Sequence, residues 1–147
     1  MKKVYALFFT LLISGCASVD GPLVRRDLPG WWDWASKEQS CVDGASLYTF
    51  SKNGDKLLVY STVGATFGSG KPKNNLEYVI KEEVPHVLRM KGIGEHRTTD
   101  KGNLVIWDLV MKDPDTFCWH RTDWSDKACT KNLVRCKNLK LTNKGSG

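Results

Sequence analysis

Cys118-Trp119-His120 places a thiol and an imidazole at alternate positions, where an extended backbone turns both to one face. Such a pair makes a nucleophile only if the thiol ionises, and a cysteine held in a disulfide has no thiolate to offer. The glycine-rich stretch Gly64 to Pro72 lacks the spacing of a phosphate-binding loop. Its first glycine is not five residues ahead of Gly70-Lys71, and Pro72 stands where a Ser or Thr would bind magnesium. His86, His96 and His120 are scattered and no C-x2-C pair exists, so no metal and no cofactor is expected. Glu82-Glu83 and Glu95 have no acid/base partner at a useful spacing and read as a solvated face. No catalytic constellation emerges, and the chain is expected not to be an enzyme. Six tryptophans remain, and large rigid aromatics with one donor suit binding sites as well as cores. Trp107 and Trp119 read as core, the latter in register with Phe117. Trp31 and Trp34 cannot both face inward with Trp32 on a regular strand, so their exposed member is a candidate binding surface. Phe67, Lys71 and Lys73 of the glycine-rich loop join it.

The elements that would position these residues are strands. Leu47 to Ser51 alternates with Tyr48 and Phe50 on one face, and Asn53-Gly54 then marks a tight hairpin. Lys56 to Thr62 returns, with Leu58 and Tyr60 opposed to Leu57 and Val59. Residues 64–75 form a long loop, a candidate lid at a barrel mouth. Leu76 to Lys81 and Val87 to Lys91 are further strands, with Leu88 and Met90 inward. Residues 95–99 are read as a short polar strand. Leu104 to Met111, apolar on both faces, predicts the most buried one, and Thr116 to Arg121 closes the series. About seven strands at roughly ten-residue spacing predict an all-β antiparallel meander that hides its edges as a barrel or, alternatively, a small sandwich. Asp126 to Cys136 is expected to be irregular or to hold one or two helical turns, and 137–147 to be a flexible tail.

The N-terminus carries an address. Lys2 and Lys3 precede the apolar run Val4 to Ile13, which as a helix reaches about 15 Å, half of a bilayer core. It suits a signal peptide rather than a span. Ile13-Ser14-Gly15-Cys16 resembles the lipobox of bacterial lipoproteins. That resemblance implies cleavage after Gly15, lipidation of Cys16, and a membrane partner reached through the lipid. Ala17, rather than Asp, implies transfer to the outer membrane, facing the periplasm. The expected organisation is 1–15 signal peptide, 16–29 lipidated Cys and tether, and 30–136 the folded domain. Loss of residues 1–15 leaves 132 residues, one domain's worth, and lowers the net charge from +6 to +4. That modest excess in an envelope setting argues against a nucleic-acid partner. With Cys16 used, Cys41, Cys118, Cys129 and Cys136 predict two disulfides in an oxidising compartment. Were 129–136 a continuous helix, Cys129 and Cys136 would lie about 10 Å apart along its axis, beyond the roughly 7 Å a bridge tolerates. Cys118 would then pair with one of them and Cys41 with the other, whereas a hairpin there would allow Cys129–Cys136.

Gly30-Trp31-Trp32 is similar to the G-x-W that opens the first strand of lipocalins and lipocalin-like bacterial domains, and Thr122-Asp123-Trp124 resembles their later Thr-Asp-Tyr. The resemblance implies that Trp32 plugs the closed end of a barrel and that a late arginine, for which Arg135 is the candidate, packs over it. The chain departs from the family in length, since only about twenty residues follow Trp124. Two functional expectations follow. In the first, a non-enzymatic lipoprotein holds an apolar or amphipathic ligand in a cavity lined by Tyr48, Tyr60, Tyr78, Leu88 and Trp107, gated by 64–75. In the second, the domain is an envelope protein-interaction module working through an exposed surface: an inhibitor, an immunity factor or an assembly accessory.

Overall fold

The computed structural model describes residues 23–35, 41, 45–65, 73–125 and 128–137. A four-residue helix, α1 (Val24–Asp27), precedes eight strands: β1 (Gly30–Trp34), β2 (Ser46–Phe50), β3 (Lys56–Ala65), β4 (Lys73–Val84), β5 (Val87–Gly92), β6 (Trp107–Asp113), β7 (Thr116–Arg121) and β8 (Leu133–Arg135). Each pairs antiparallel with the next, and β8 pairs back onto β1, so the meander closes into a barrel with no free edge. Register shifts in the β3–β4, β4–β5 and β6–β7 pairs supply the local bends that closing so small a barrel needs.

Alternation sets the lumen. Trp32, Tyr48, Leu57, Val59, Leu76, Tyr78, Leu88, Met90, Leu109, Met111, Phe117, Trp119 and Leu133 are buried and form one core. Leu57 and Val59 face inward because Val59 lies opposite Tyr48 in the β2–β3 register. Tyr60, expected in the cavity wall, therefore points outward and is 42 % exposed.

Other expectations are corrected. Eight strands occur among the described residues where about seven were expected, and residues 95–99 are not among them. There the Glu95 carboxylate accepts the backbone N–H groups of His96 and Arg97, which ties the segment into a local turn, and only an isolated bridge, Thr98 to Leu104, survives. β6 begins at Trp107, not Leu104. In place of helical turns, the described part of 126–136 supplies β8, whose Leu133 is drawn into the lumen opposite Phe117 and Trp34. Residues 23–29, read as tether, belong to the folded unit, since Val24 and Leu28 are buried in the core.

The closed end is where α1 crosses the barrel, beside the hairpin tips at 51–55, 84–87 and 113–116. Trp32 is fully buried there. Its indole N–H donates to the Leu28 carbonyl at 2.7 Å, its ring meets Phe117 edge-on at 4.7 Å, and the Arg135 guanidinium lies 4.4 Å over it. Arg135 also donates to the carbonyls of Asp27, Pro29 and Pro114 and to the Asp115 carboxylate. Gly30 has φ +141°, and a Cβ on it would come 2.8 Å from Arg135 Nη1, which explains the glycine two residues before the plug. Arg135→Lys keeps the charge but loses the planar stack and the fan of donors. It should cost about 2 kcal/mol of stability, read as a lower guanidinium midpoint.

Both disulfides form. Cys41 bonds Cys136 and Cys118 bonds Cys129, with Cα separations of 5.4 and 6.0 Å. One staple lies on each side of β8, and together they secure a strand only three residues long.

Candidate functional site

The open end gathers the polar chemistry of the lumen. Leaving β5, the chain turns at Gly94, whose φ is +83°, and buries the Glu95 side chain completely. That carboxylate accepts Arg97 Nε at 2.8 Å, Arg97 Nη2 at 2.7 Å and Trp107 Nε1 at 3.0 Å, besides the two backbone N–H groups. Burial by itself would push the Glu95 carboxyl up. The bonds from Arg97, Trp107 and the Arg97 backbone outweigh it and hold the pKa at about 2. Thus fixed, Arg97 lies 4.9 Å over the Trp107 ring. The barrel carries an arginine on a tryptophan at each end: Arg135 on Trp32 at the floor, Arg97 on Trp107 at the mouth.

Since this carboxyl is depressed in the folded state, its contribution to stability is complete above the unfolded value near 4.5 and is lost as pH falls towards about 2. Glu95→Gln should flatten that acid limb. The check is the urea midpoint of both proteins across this window, where wild type should fall more steeply.

Between the two caps runs a chain of rings. Trp32 meets Phe117, Phe117 meets Tyr48 at 5.3 Å and Trp119 at 6.1 Å, Trp119 stacks on Tyr78 at 5.1 Å and meets Trp107 at 6.1 Å, and Trp107 meets Trp124 at 5.9 Å. These separations are those of aromatic rings in direct contact. Burial pushes the Tyr48 and Tyr78 phenols well above their ordinary value, so both stay neutral. An eight-stranded barrel is just wide enough for side chains to fill or for one small ligand. Here the contacting rings run from Trp32 at the floor to Trp107 and Trp124 at the mouth.

Of the expected lining residues, Tyr48, Tyr78, Leu88 and Trp107 do come together inside. Of the candidate surface, Trp34 is 47 % exposed at the end of β1, while Trp31 is partly buried on the opposite face of the strand. Phe67 and Lys71 lie outside the described residues, as do Cys16, the signal segment and most of the 64–75 loop; Lys73 is the first residue of β4. Thr122-Asp123-Trp124 does not join the closed-end pair. It sits beyond β7 at the mouth, where Arg121 bonds Asp123 and lies 5.7 Å over Trp124. Cys118 is oxidised, and His120 Nδ1 contacts the Ala128 carbonyl, so no Cys–His nucleophile forms there. No cluster of metal-ligating side chains occurs among the described residues, and no helix among them is long and apolar enough to cross a membrane. Sequence reasoning missed Glu95 and Arg97. Their signal was the i, i+2 spacing of opposite charges just after a glycine turn.

The fold and its two ends define a class: a small, closed, eight-stranded meander barrel, capped by Arg–Trp pairs and packed with aromatic side chains. Compared with models of known protein families, with curated proteins and with solved structures, the chain has no match.

Proposed function

We propose that this chain is a lipid-anchored protein of the bacterial outer membrane, facing the periplasm, whose barrel is a rigid scaffold for recognising an envelope protein at its open rim. The anchor rests on the sequence, through the lipobox-like Ile13-Ser14-Gly15-Cys16. The Trp32–Arg135 pair supports kinship with the lipocalin-like domains. The observation that carries the binding mode is the unbroken run of rings from Trp32 to Trp124. With the axis so occupied, binding moves to the surface. The open half displays Tyr60, Ile93 and Leu104, all large, apolar and exposed. Isolated apolar residues on a surface are ordinary, but large apolar side chains grouped on one half of a rigid barrel suit protein contact.

A second reading, ligand holding, draws on one feature. Tyr78, Trp107 and Trp119 near the mouth keep 7–8 % exposure, whereas Trp32 and Phe117 at the floor keep none. An apolar ligand would have to part those upper rings.

Affinity capture from envelope extract with the disulfide-bonded protein, followed by mass spectrometry of proteins and lipids, tests the proposal. A protein partner retained by wild type and lost by Ile93→Ser/Leu104→Ser supports rim recognition. A bound lipid in one-to-one amount, unaffected by the rim variant, refutes it.

A further inference from the structure

The structure, taken with the Cys16 anchor, points to a fixed orientation: we infer that the closed end of the barrel is the surface facing the lipid bilayer, with the open rim turned away from it. The inference rests on the proposed lipidation of Cys16. It follows from where the folded unit takes hold of the chain. α1 is locked across the closed end. Val24 and Leu28 are buried, and Arg25 pairs with Glu83 at 2.5 Å, donates to the Gly54 carbonyl at 2.8 Å and lies 5.0 Å over the Phe50 ring. Arg135 holds the carbonyls of Asp27 and Pro29, and Trp32 holds that of Leu28. The folded unit therefore takes hold of the chain at Leu23, and the span from Cys16 ends there rather than at Pro29.

From Cys16 to Leu23 is seven residues, and a fully extended chain of that length reaches at most about 25 Å. The barrel itself is comparable in height. With strands such as β3 tilted as barrels require, the rim stands on the order of 20–30 Å beyond the closed end. A tether this short, fastened at one pole, would have to be almost fully extended to bring the opposite pole to the headgroups, whereas the closed end reaches them at any extension. The occupant of the closed-end surface is thus the bilayer to which the chain is anchored. The rim residues Ile93 and Leu104 face the periplasm, where a partner can reach them.

The test uses the full lipidated chain in phosphatidylethanolamine/phosphatidylglycerol vesicles carrying a little rhodamine-labelled lipid. A fluorescent non-natural residue is placed at Lys52, exposed in the closed-end hairpin, or at Lys101, exposed in the open-end loop. Energy transfer to the lipid should be several-fold greater from position 52 than from position 101. Equal or reversed transfer would overturn the orientation. Inserting a long Gly/Ser segment between Pro22 and Leu23 should erase the difference; a difference that persists unchanged would show that tether length does not set it. If the chain fails to float with the vesicles and Cys16→Ser behaves the same, the anchor itself is refuted, and the orientation with it. That outcome is distinct from a chain that floats with the wrong end down.

Discussion

Trp32→Ala should leave the domain largely unfolded near neutral pH. Trp32 is fully buried, and removing a large buried aromatic typically costs about 3–5 kcal/mol. Three further losses follow here. The Leu28 carbonyl loses its 2.7 Å donor, Phe117 loses its ring partner, and the Arg135 guanidinium loses the face on which it lies. A domain of this size has roughly 5–15 kcal/mol in all, so the sum reaches a large fraction of the total. Trp34→Ala, two residues on and about half exposed, is the matched control and should cost less than about 1 kcal/mol. Urea unfolding followed by circular dichroism separates them. Equal midpoints for the two variants would mean that Trp32 does not hold the floor.

Opening Cys41–Cys136 should be the next most damaging change. The bridge joins residues 95 apart in sequence, against 11 for Cys118–Cys129. Loop-closure entropy assigns about 4–5 kcal/mol to the first and about 3 kcal/mol to the second. Position adds to the difference. Cys136 directly follows β8, whose three residues supply Leu133 to the lumen and Arg135 to the floor. Without the staple, β8 frays and takes the Arg135 cap with it. Cys41→Ser/Cys136→Ser should lower the thermal midpoint more than Cys118→Ser/Cys129→Ser does. It should also speed exchange of the Arg135 amide, which donates to Asp115 O, and of the Cys136 amide, which donates to Trp31 O. Equal losses from the two double variants would contradict this ranking.

Period-two alternation made much of the barrel legible in the sequence, because each strand with one face on the lumen must write that face into its residues. Tyr48 with Phe50, Leu88 with Met90, and Phe117 with Trp119 are such pairs. Asn53-Gly54 named its hairpin because Gly54 needs φ +71°. The pairing of Cys41 and Cys118 with the two late cysteines came out as expected on the helical assumption, although between the late pair lies the short strand β8 and no helix. What alternation could not supply was the choice of face where both faces are apolar. Lys56 to Tyr60 reads Leu57, Leu58, Val59, Tyr60, and only the register with Tyr48 sends Leu57 and Val59 inward. β8 was invisible because three residues are too few for a period, and its stability comes from flanking disulfides. The floor was legible only through a motif resemblance, since Trp32 and Arg135 are over a hundred residues apart. The mouth was missed because Glu95 reads as a surface charge. Burial turns it into the anchor that sets Arg97 over Trp107.

Recognition at the rim, as proposed, requires that side chains rather than a ligand fill the lumen. Native mass spectrometry of the disulfide-bonded protein, exported to the periplasm with Cys16 replaced by Ser and purified without detergent, tests it most directly. The expected result is a single species at the mass of the mature polypeptide, unchanged on addition of a fatty acid, with an adduct appearing only when Trp119→Ala opens the axis. A one-to-one lipid adduct on the wild-type protein, displaced by the added fatty acid, would contradict it.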